Sequence, residues 1–196
     1  LGDAAESYQK ALAINPDIPE VNANLANALR ELGKLEHAIK YYEIAIKLKP
    51  NFAQAYYNFG MTLNLLDRPN EADACLQKAI LLNPESPSAQ TELGSVYWKG
   101  GYTDKAAVCF MQALEIDPTF SPAHTNMAAV HFKKHQLEDA ISCAREAIDL
   151  NPNDVSSFNI LGGSLHQLGR IEDGYTEMLR GILIDPSNAE TRFNMG

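Results

Sequence analysis

Cysteine is scarce in this sequence, and long apolar runs are missing. The 196 residues contain three cysteines, widely spaced and without the CxxC pairs of a zinc site. No stretch reaches the roughly 20 apolar residues of a membrane-spanning helix, and the first residues lack the basic-then-apolar layout of a secretory signal. We therefore expect no membrane insertion and no disulfide framework. A reducing, intracellular location, the cytoplasm, fits this composition best.

Basic residues are also in short supply. Sixteen Lys and Arg stand against 25 Asp and Glu, which gives a formal net charge of −9. The densest basic cluster, Lys133, Lys134 and His135, is short. A surface that neutralises phosphates needs clustered Lys and Arg, so we expect no nucleic-acid partner.

Motifs for chemistry are missing as well: there is no GxSxG, P-loop, HExxH or Gly-rich nucleotide motif. Cys75, Cys109 and Cys143 are spaced 34 residues apart. If they occupy equivalent sites on packed helices, their atoms lie about 8 to 10 Å apart or more. A disulfide needs Cα atoms within roughly 7 Å. His131 and His135 are four residues apart but have no evident third ligand. The sequence therefore predicts no catalytic residue, no metal site and no cofactor.

Proline is present in small number but at a regular interval. Six of the ten prolines are separated by 34 residues each. They are Pro16, Pro50, Pro84, Pro118, Pro152 and Pro186. A fixed period of this length is typical of a repeat protein.

Other columns follow the same period when these prolines are set at repeat position 32. Small residues fill positions 8, 20 and 27, and larger apolar residues fill position 7 and, except at Ala144, position 24. Position 20, for example, holds Ala4, Ala38, Ala72, Ala106, Ala140 and Gly174. Positions 4, 7, 8 and 11 have helical spacing, as do 20, 24 and 27, so each repeat predicts two amphipathic helices.

A short turn near position 15 separates the two helices. Glycine marks it in three repeats, whereas Asp67 and His135 stand there in two others. We expect the backbone at those two residues to stay out of the left-handed region. In the last repeat, Gly174 and Gly181 replace alanines, each at a cost of about 1 kcal/mol to helix stability. That repeat is therefore expected to be the weakest.

Small residues at 8, 20 and 27 with proline at 32 resemble the tetratricopeptide repeat (TPR) family. The resemblance implies an all-α, right-handed α-solenoid superhelix of 34-residue helix-turn-helix repeats, forming one array over residues 1–196. Residues 1–18 would supply only a second helix and 189–196 the start of a further repeat. The full repeats would be 19–52, 53–86, 87–120, 121–154 and 155–188. The chain is thus expected to be a piece of a longer protein whose uncapped ends associate end to end.

The family resemblance also implies that the first helices line a concave groove, with positions 2, 5, 6, 9, 12 and 13 facing a guest. Asparagine dominates those positions and aromatic residues are interspersed. An Asn side chain offers a donor and an acceptor as a peptide bond does. We therefore predict a protein or peptide partner bound by this groove. The predicted groove residues are Asn24, Asn27, Asn58, Asn64, Asn126, Asn159, Asn194, Tyr57, Trp98 and Phe132.

Three alternatives stay open. Trp98 and Phe132, both at position 12, could pack against the following repeat instead. The asparagines at position 6 resemble those of the O-GlcNAc transferase and SPINDLY-like families, which would make the chain the substrate-recognition arm of a larger enzyme. The array could also be a self-assembly module. Some TPR proteins clamp a carboxylate with Lys and Asn, but here Ala23, Ser88 and Glu92 replace the basic residues.

Overall fold

Eleven α-helices account for most of residues 2–186, the part of the chain that this computed structural model describes, and no strand occurs there. Connections of three residues and of four residues alternate between them. The helices are α1 (Gly2–Ile14), α2 (Pro19–Glu31), α3 (Leu35–Leu48), α4 (Ala53–Leu65), α5 (Pro69–Leu82), α6 (Pro87–Lys99), α7 (Thr103–Ile116), α8 (Ser121–Lys133), α9 (Leu137–Leu150), α10 (Val155–Gln167) and α11 (Ile171–Ile184).

The chain forms two compact units, unit 1 (residues 1–100) and unit 2 (residues 101–196). In unit 1 each helix from α1 to α6 packs on the next, and α2, α4 and α6 also touch in sequence. In unit 2 the helices from α7 to α11 pack in the same consecutive way, and α8 touches α10. The first helices of successive repeats therefore form a continuous face within each unit.

Small residues bring the helices of a repeat close together, as the columns predict. A Cβ atom built on Gly60 of α4 would lie 3.3 Å from the Ala72 carbonyl oxygen and 2.6 Å from Cγ of Leu76, both on α5. Ala72 and Leu76 are completely buried. Burying a leucine side chain contributes about 1.5 to 3 kcal/mol, so close backbone approach and large apolar neighbours together stabilise each pair.

Position 24 supplies the large side chains that fill the space beside these contacts. Tyr42 on α3 is completely buried, and its ring stacks on Phe59 of α4 with centroids 5.8 Å apart. Phe110 and Met178 occupy the same column and are also buried. Ala144 is the exception in size but not in burial.

The turns between paired helices need left-handed backbone at position 15, and this corrects the expectation for two residues. Gly33 has φ of 73°, and Asp67 and His135 have φ of 56° and 57°. The reason is the way the first helix ends. The Arg68 N–H donates to the Leu63 carbonyl oxygen at 3.0 Å, a bond that places the preceding residue in the left-handed region.

Candidate functional site

Three amide side chains and one phenol link α2, α3 and α4 in unit 1. Asn27 Oδ1 accepts from the Tyr42 hydroxyl at 2.6 Å and from Asn58 Nδ2 at 2.9 Å. The Oδ1 atom of Asn58 accepts in turn from Gln54 Nε2 at 3.1 Å. Asn58 is only 8% exposed. The predicted groove residues Asn27 and Asn58 are thus brought together, but their amides bond to the protein itself.

A second network joins α4 to α6. Asn64 is buried; its Nδ2 donates to Glu92 Oε1 at 2.6 Å, and its Oδ1 accepts from Lys99 Nζ at 3.1 Å. Lys99 Nζ also donates to the Asn64 carbonyl oxygen at 3.3 Å. The amide therefore lies between an anion and a cation, and these charge-assisted bonds are stronger than neutral ones. This holds the last turn of α4 against α6.

The aromatic and exposed members of the predicted groove in unit 1 lie on the same helices. Tyr57 on α4 and Trp98 on α6 are half-buried, and Asn24 on α2 is exposed. Burial raises the pKa of Tyr57, Glu92 raises it further, and Arg30 opposes the rise. The phenol therefore stays protonated at ordinary pH and keeps its donor.

The predicted groove residues of unit 2 differ from one another in burial and in what they contact. Asn126 on α8 and Phe132 are half-buried. The Cζ atom of Phe132 would lie 3.3 Å from a Cβ atom built on Gly163 of α10. The ring thus packs on the first helix of the following repeat, which is the alternative that the sequence left open for it.

Asn159 on α10 is buried, and neither its Nδ2 nor its Oδ1 has a hydrogen-bond partner among the described residues. Its amide oxygen would lie 3.7 Å from a Cβ atom built on Gly181 of α11. Polar side chains of α8 and α10 are paired elsewhere, by contrast: Thr125 Oγ1 bonds to Asp154 Oδ2 at 2.5 Å and to Ser157 Oγ at 3.0 Å. Asn194 lies outside the described residues.

Unit 1 also contains a cavity of about 190 Å³, which the sequence did not predict. It lies between the beginnings of α4 and α6 and the end of α5, and alanines leave the space for it. Its lining residues are Ala53, Gln54, Tyr57, Ala79, Asn83, Ser86, Ser88 and Ala89. Gln54 and Ser88 share repeat position 2, which the family resemblance assigns to the groove. That shared position is the signal that could have identified them.

The three cysteines are packed, weakly reactive side chains. Cys75, Cys109 and Cys143 form no disulfide with one another; Cys109 is buried and the other two are half-buried. Burial, with a smaller contribution from Glu71, raises the pKa of Cys75 to about 11. Burial also raises the pKa of Cys143. Because the thiolate is the nucleophile and the metal ligand, these shifts favour the unreactive form.

No group of three or more His, Cys, Asp and Glu side chains in residues 2–186 is arranged to hold a metal ion. Across the same part of the chain, none of the helices combines the length and the apolar character that crossing a membrane requires.

Family models match most of the chain. One described as TPR repeat matches residues 26–64. Models described as tetratricopeptide repeat match residues 7–40, 53–86, 87–120 and 121–154. Together they extend over residues 7–154, well beyond half of the sequence. No curated protein sequence matches the chain.

Several solved structures share the fold at low sequence identity. YrrB, described as a TPR protein with an unusual peptide-binding site, is 22% identical, with a TM-score of 0.70 over 97% of this chain and 98% of its own. PilW, a type IV pilus biogenesis factor, is 22% identical, with a TM-score of 0.85 over 97% and 89%. PilF of Pseudomonas aeruginosa is 20% identical, with a TM-score of 0.84 over 99% and 90%. The predicted fold class, an all-α solenoid of helix-turn-helix repeats, is confirmed.

Proposed function

Because the chain belongs to the tetratricopeptide repeat family, whose members are generally protein-interaction scaffolds, we propose that it binds an extended peptide along its first helices. We use the name first-helix face for the side chains at positions 2, 5, 6, 9, 12 and 13 within one unit. In unit 1 these belong to α2, α4 and α6; in unit 2 a separate face belongs to α8 and α10. The observation that carries the proposal is the mixture of side chains there. Asn24 is exposed, and Tyr57, Trp98 and Asn126 are half-buried.

This mixture suits a peptide backbone with apolar anchors. The amide of Asn24 or Asn126 can donate and accept, as a backbone amide requires. Tyr57 supplies a rigid ring, and aromatic side chains concentrate binding energy in interfaces. YrrB, which has the same fold, carries a peptide-binding site according to its description, and this adds support by analogy.

The predicted asparagines divide into two roles under this proposal. Asn24 would touch a guest on unit 1, and Asn126 a guest on unit 2. Asn27, Asn58 and Asn64 would shape the surface, because their amides are hydrogen-bonded to neighbouring helices. A peptide that displaced those bonds would have to replace them, and a buried amide left without a partner costs about 1 to 3 kcal/mol.

Photo-crosslinking tests the proposed location. A benzophenone amino acid replaces Tyr57 in one variant and Tyr175, an exposed tyrosine on the second helix α11, in the matched control. Each variant is illuminated with a biotinylated random-peptide library. We expect adducts at position 57 well above those at position 175. Equal labelling at both positions, with the fold intact by circular dichroism, would contradict a guest on the first-helix face.

Alanine variants then test the amides. We expect Asn24→Ala and Asn126→Ala to weaken capture of the library by several-fold without changing the melting temperature. Asn153→Ala, an exposed loop asparagine whose side chain makes no bond to a first helix, is the control. Unchanged capture by both groove variants would remove the amides from the proposed mechanism.

The alternative is that the same residues select substrates for a catalytic segment elsewhere in a larger protein. It is supported by the position-6 amides of Asn24, which is exposed, and Asn126, which is half-buried. The sequence of the parent gene distinguishes it, since a glycosyltransferase segment adjoining these residues would favour the substrate-recognition arm and its lack would favour a plain scaffold.

A further inference from the structure

We propose that the 190 Å³ cavity in unit 1 is a specificity pocket for one uncharged, hydrogen-bonding side chain of the guest peptide, a carboxamide of Asn or Gln. The inference rests on the proposed function, because the cavity lies on the first-helix face. Gln54 and Ser88 occupy position 2 and Tyr57 position 5 of consecutive first helices. A peptide following that face would pass over the opening.

The size of the cavity suits one side chain. Sites for whole small molecules usually measure about 300 to 1,000 Å³, and a single water occupies about 30 Å³. A cavity of about 190 Å³ lies between the two. It is too small for a cofactor and large enough for the end of a side chain.

The lining determines which side chain fits. No charged residue lines the cavity; its polar groups are the amides of Gln54 and Asn83 and the hydroxyls of Tyr57, Ser86 and Ser88. A charged guest would lose part of its hydration without gaining a counter-ion, which is costly. A purely apolar guest would leave the lining amides and hydroxyls without partners. A carboxamide offers both a donor and an acceptor, so it matches a lining that contains both.

The chain of hydrogen bonds that links α2, α3 and α4 also holds one wall of the pocket in place. Gln54 Nε2 donates to Asn58 Oδ1, and Asn58 Nδ2 donates to Asn27 Oδ1, which is also bonded by the buried Tyr42. The bond to Asn58 fixes the orientation of the Gln54 amide, although the Gln54 side chain is exposed. Asn27 and Asn58 thus act as positioning residues. On the opposite wall, Ser86 Oγ accepts from the Ala89 N–H at 3.3 Å, which fixes the start of α6.

A phage-displayed library of random peptides tests the pocket by its selectivity. Against the unmodified protein we expect Asn or Gln to be enriched at one position of the selected peptides. Gln54→Glu puts an anion in the pocket and should change the enrichment to Lys or Arg. Ser88→Lys should change it to Asp or Glu. For each variant, the abundance of the newly preferred charged residues relative to Asn and Gln at that peptide position should rise by about tenfold. This corresponds to a modest change in binding free energy. Damage to the fold cannot produce two opposite shifts.

Gln112→Glu is the matched control, because it makes the same charge change at an exposed position of α7 that does not line the cavity. It should leave the enrichment of Asn or Gln unaltered. If Ser88→Lys does not fold, Gln54→Glu still decides, since the Gln54 side chain is exposed.

The outcomes separate this inference from the proposed function. Selected peptides without a position rich in Asn or Gln, or with an enrichment that Gln54→Glu leaves unchanged, would overturn the pocket while peptide binding stands. A library from which the protein selects nothing above the empty support would overturn both.

Discussion

Gly162 and Gly174 lie so close that a Cβ atom built on Gly174 would be 2.7 Å from the Gly162 carbonyl oxygen. A Cβ atom on Gly162 would in turn be 2.8 Å from the Gly174 carbonyl oxygen. In unit 1 the equivalent contact pairs Gly60 with Ala72 and is looser, at 3.3 Å. The backbones of α10 and α11 therefore approach each other more closely than those of α4 and α5.

We predict that Gly174→Ala lowers the free energy of unfolding by about 1 to 3 kcal/mol. Helix propensity alone would favour alanine by about 1 kcal/mol, but the added methyl group meets backbone atoms that cannot turn aside. Urea denaturation measures the change. Gly163→Ala is the control, because its Cβ atom would meet only the end of the Phe132 ring, at 3.3 Å. A Gly174→Ala protein as stable as the original, or more stable, would contradict the close approach.

This pair also shows how far the sequence carries the fold. Columns of small residues at positions 8 and 20 predicted which residues bring the paired helices together, because the packing depends on a period that is written along the chain. The interpretation of Gly174 as a weakness of the last repeat considered the helix alone. Whether a glycine weakens its helix or permits a close contact depends on the distance to the backbone of the paired helix. The sequence does not give that distance.

What the sequence could indicate about the candidate surface is limited for a similar reason. Repeat position assigned Asn24, Asn58 and Asn64 to first helices, and they lie on α2 and α4. It could not indicate that the amides of Asn58 and Asn64 bond to neighbouring helices, because the partners Asn27, Glu92 and Lys99 belong to other elements. The cavity beside Gln54 was missed because it arises from the small alanine side chains around it. No sequence motif marks an empty space between helices.

The turn residues give a second prediction. Asp67 and His135 have positive φ and exposed side chains, and within residues 2–186 their side chains make no hydrogen bond. An L-residue in this region is strained by about 1 to 2 kcal/mol, whereas glycine is not, although glycine loses more entropy on folding. We expect Asp67→Gly and His135→Gly each to raise the free energy of unfolding by roughly 1 kcal/mol or less. Gly33→Ala should lower it. Opposite signs in thermal denaturation would refute the left-handed geometry.

Two threonines provide a matched pair for a third prediction. Thr91 Oγ1 is buried and has no hydrogen-bond partner among the described residues, whereas Thr62 Oγ1 donates to the Asn58 carbonyl oxygen at 2.7 Å. Valine has nearly the same shape and removes the hydroxyl. We expect Thr91→Val to stabilise the protein by about 1 kcal/mol and Thr62→Val to destabilise it by a similar amount. Equal effects in calorimetry would indicate that the Thr91 hydroxyl is paired after all.

The fourth prediction concerns the reactivity of Cys75. Its pKa is raised from 9.0 to about 11, first by burial and then by Glu71. Two pH units correspond to about 100-fold less thiolate near pH 8. We therefore expect iodoacetamide to alkylate Cys75 more slowly in the folded protein than in urea at that pH, by roughly 10- to 100-fold, because the greater nucleophilicity of a thiolate of higher pKa offsets part of the loss. Peptide mapping by mass spectrometry follows each cysteine separately.

The pH profile distinguishes this electrostatic protection from simple shielding. Since the folded protein holds the thiol proton more tightly than the unfolded chain, unfolding releases a proton between about pH 9 and 11, and stability falls as the pH rises through that window. The alkylation rate of the folded protein should climb up to about pH 11, whereas that of the unfolded chain should level off near pH 9. Glu71→Gln removes the smaller of the two causes and should move the folded profile slightly to lower pH. Profiles that level off together, at whatever rates, would show that Cys75 is only shielded and that its pKa is ordinary.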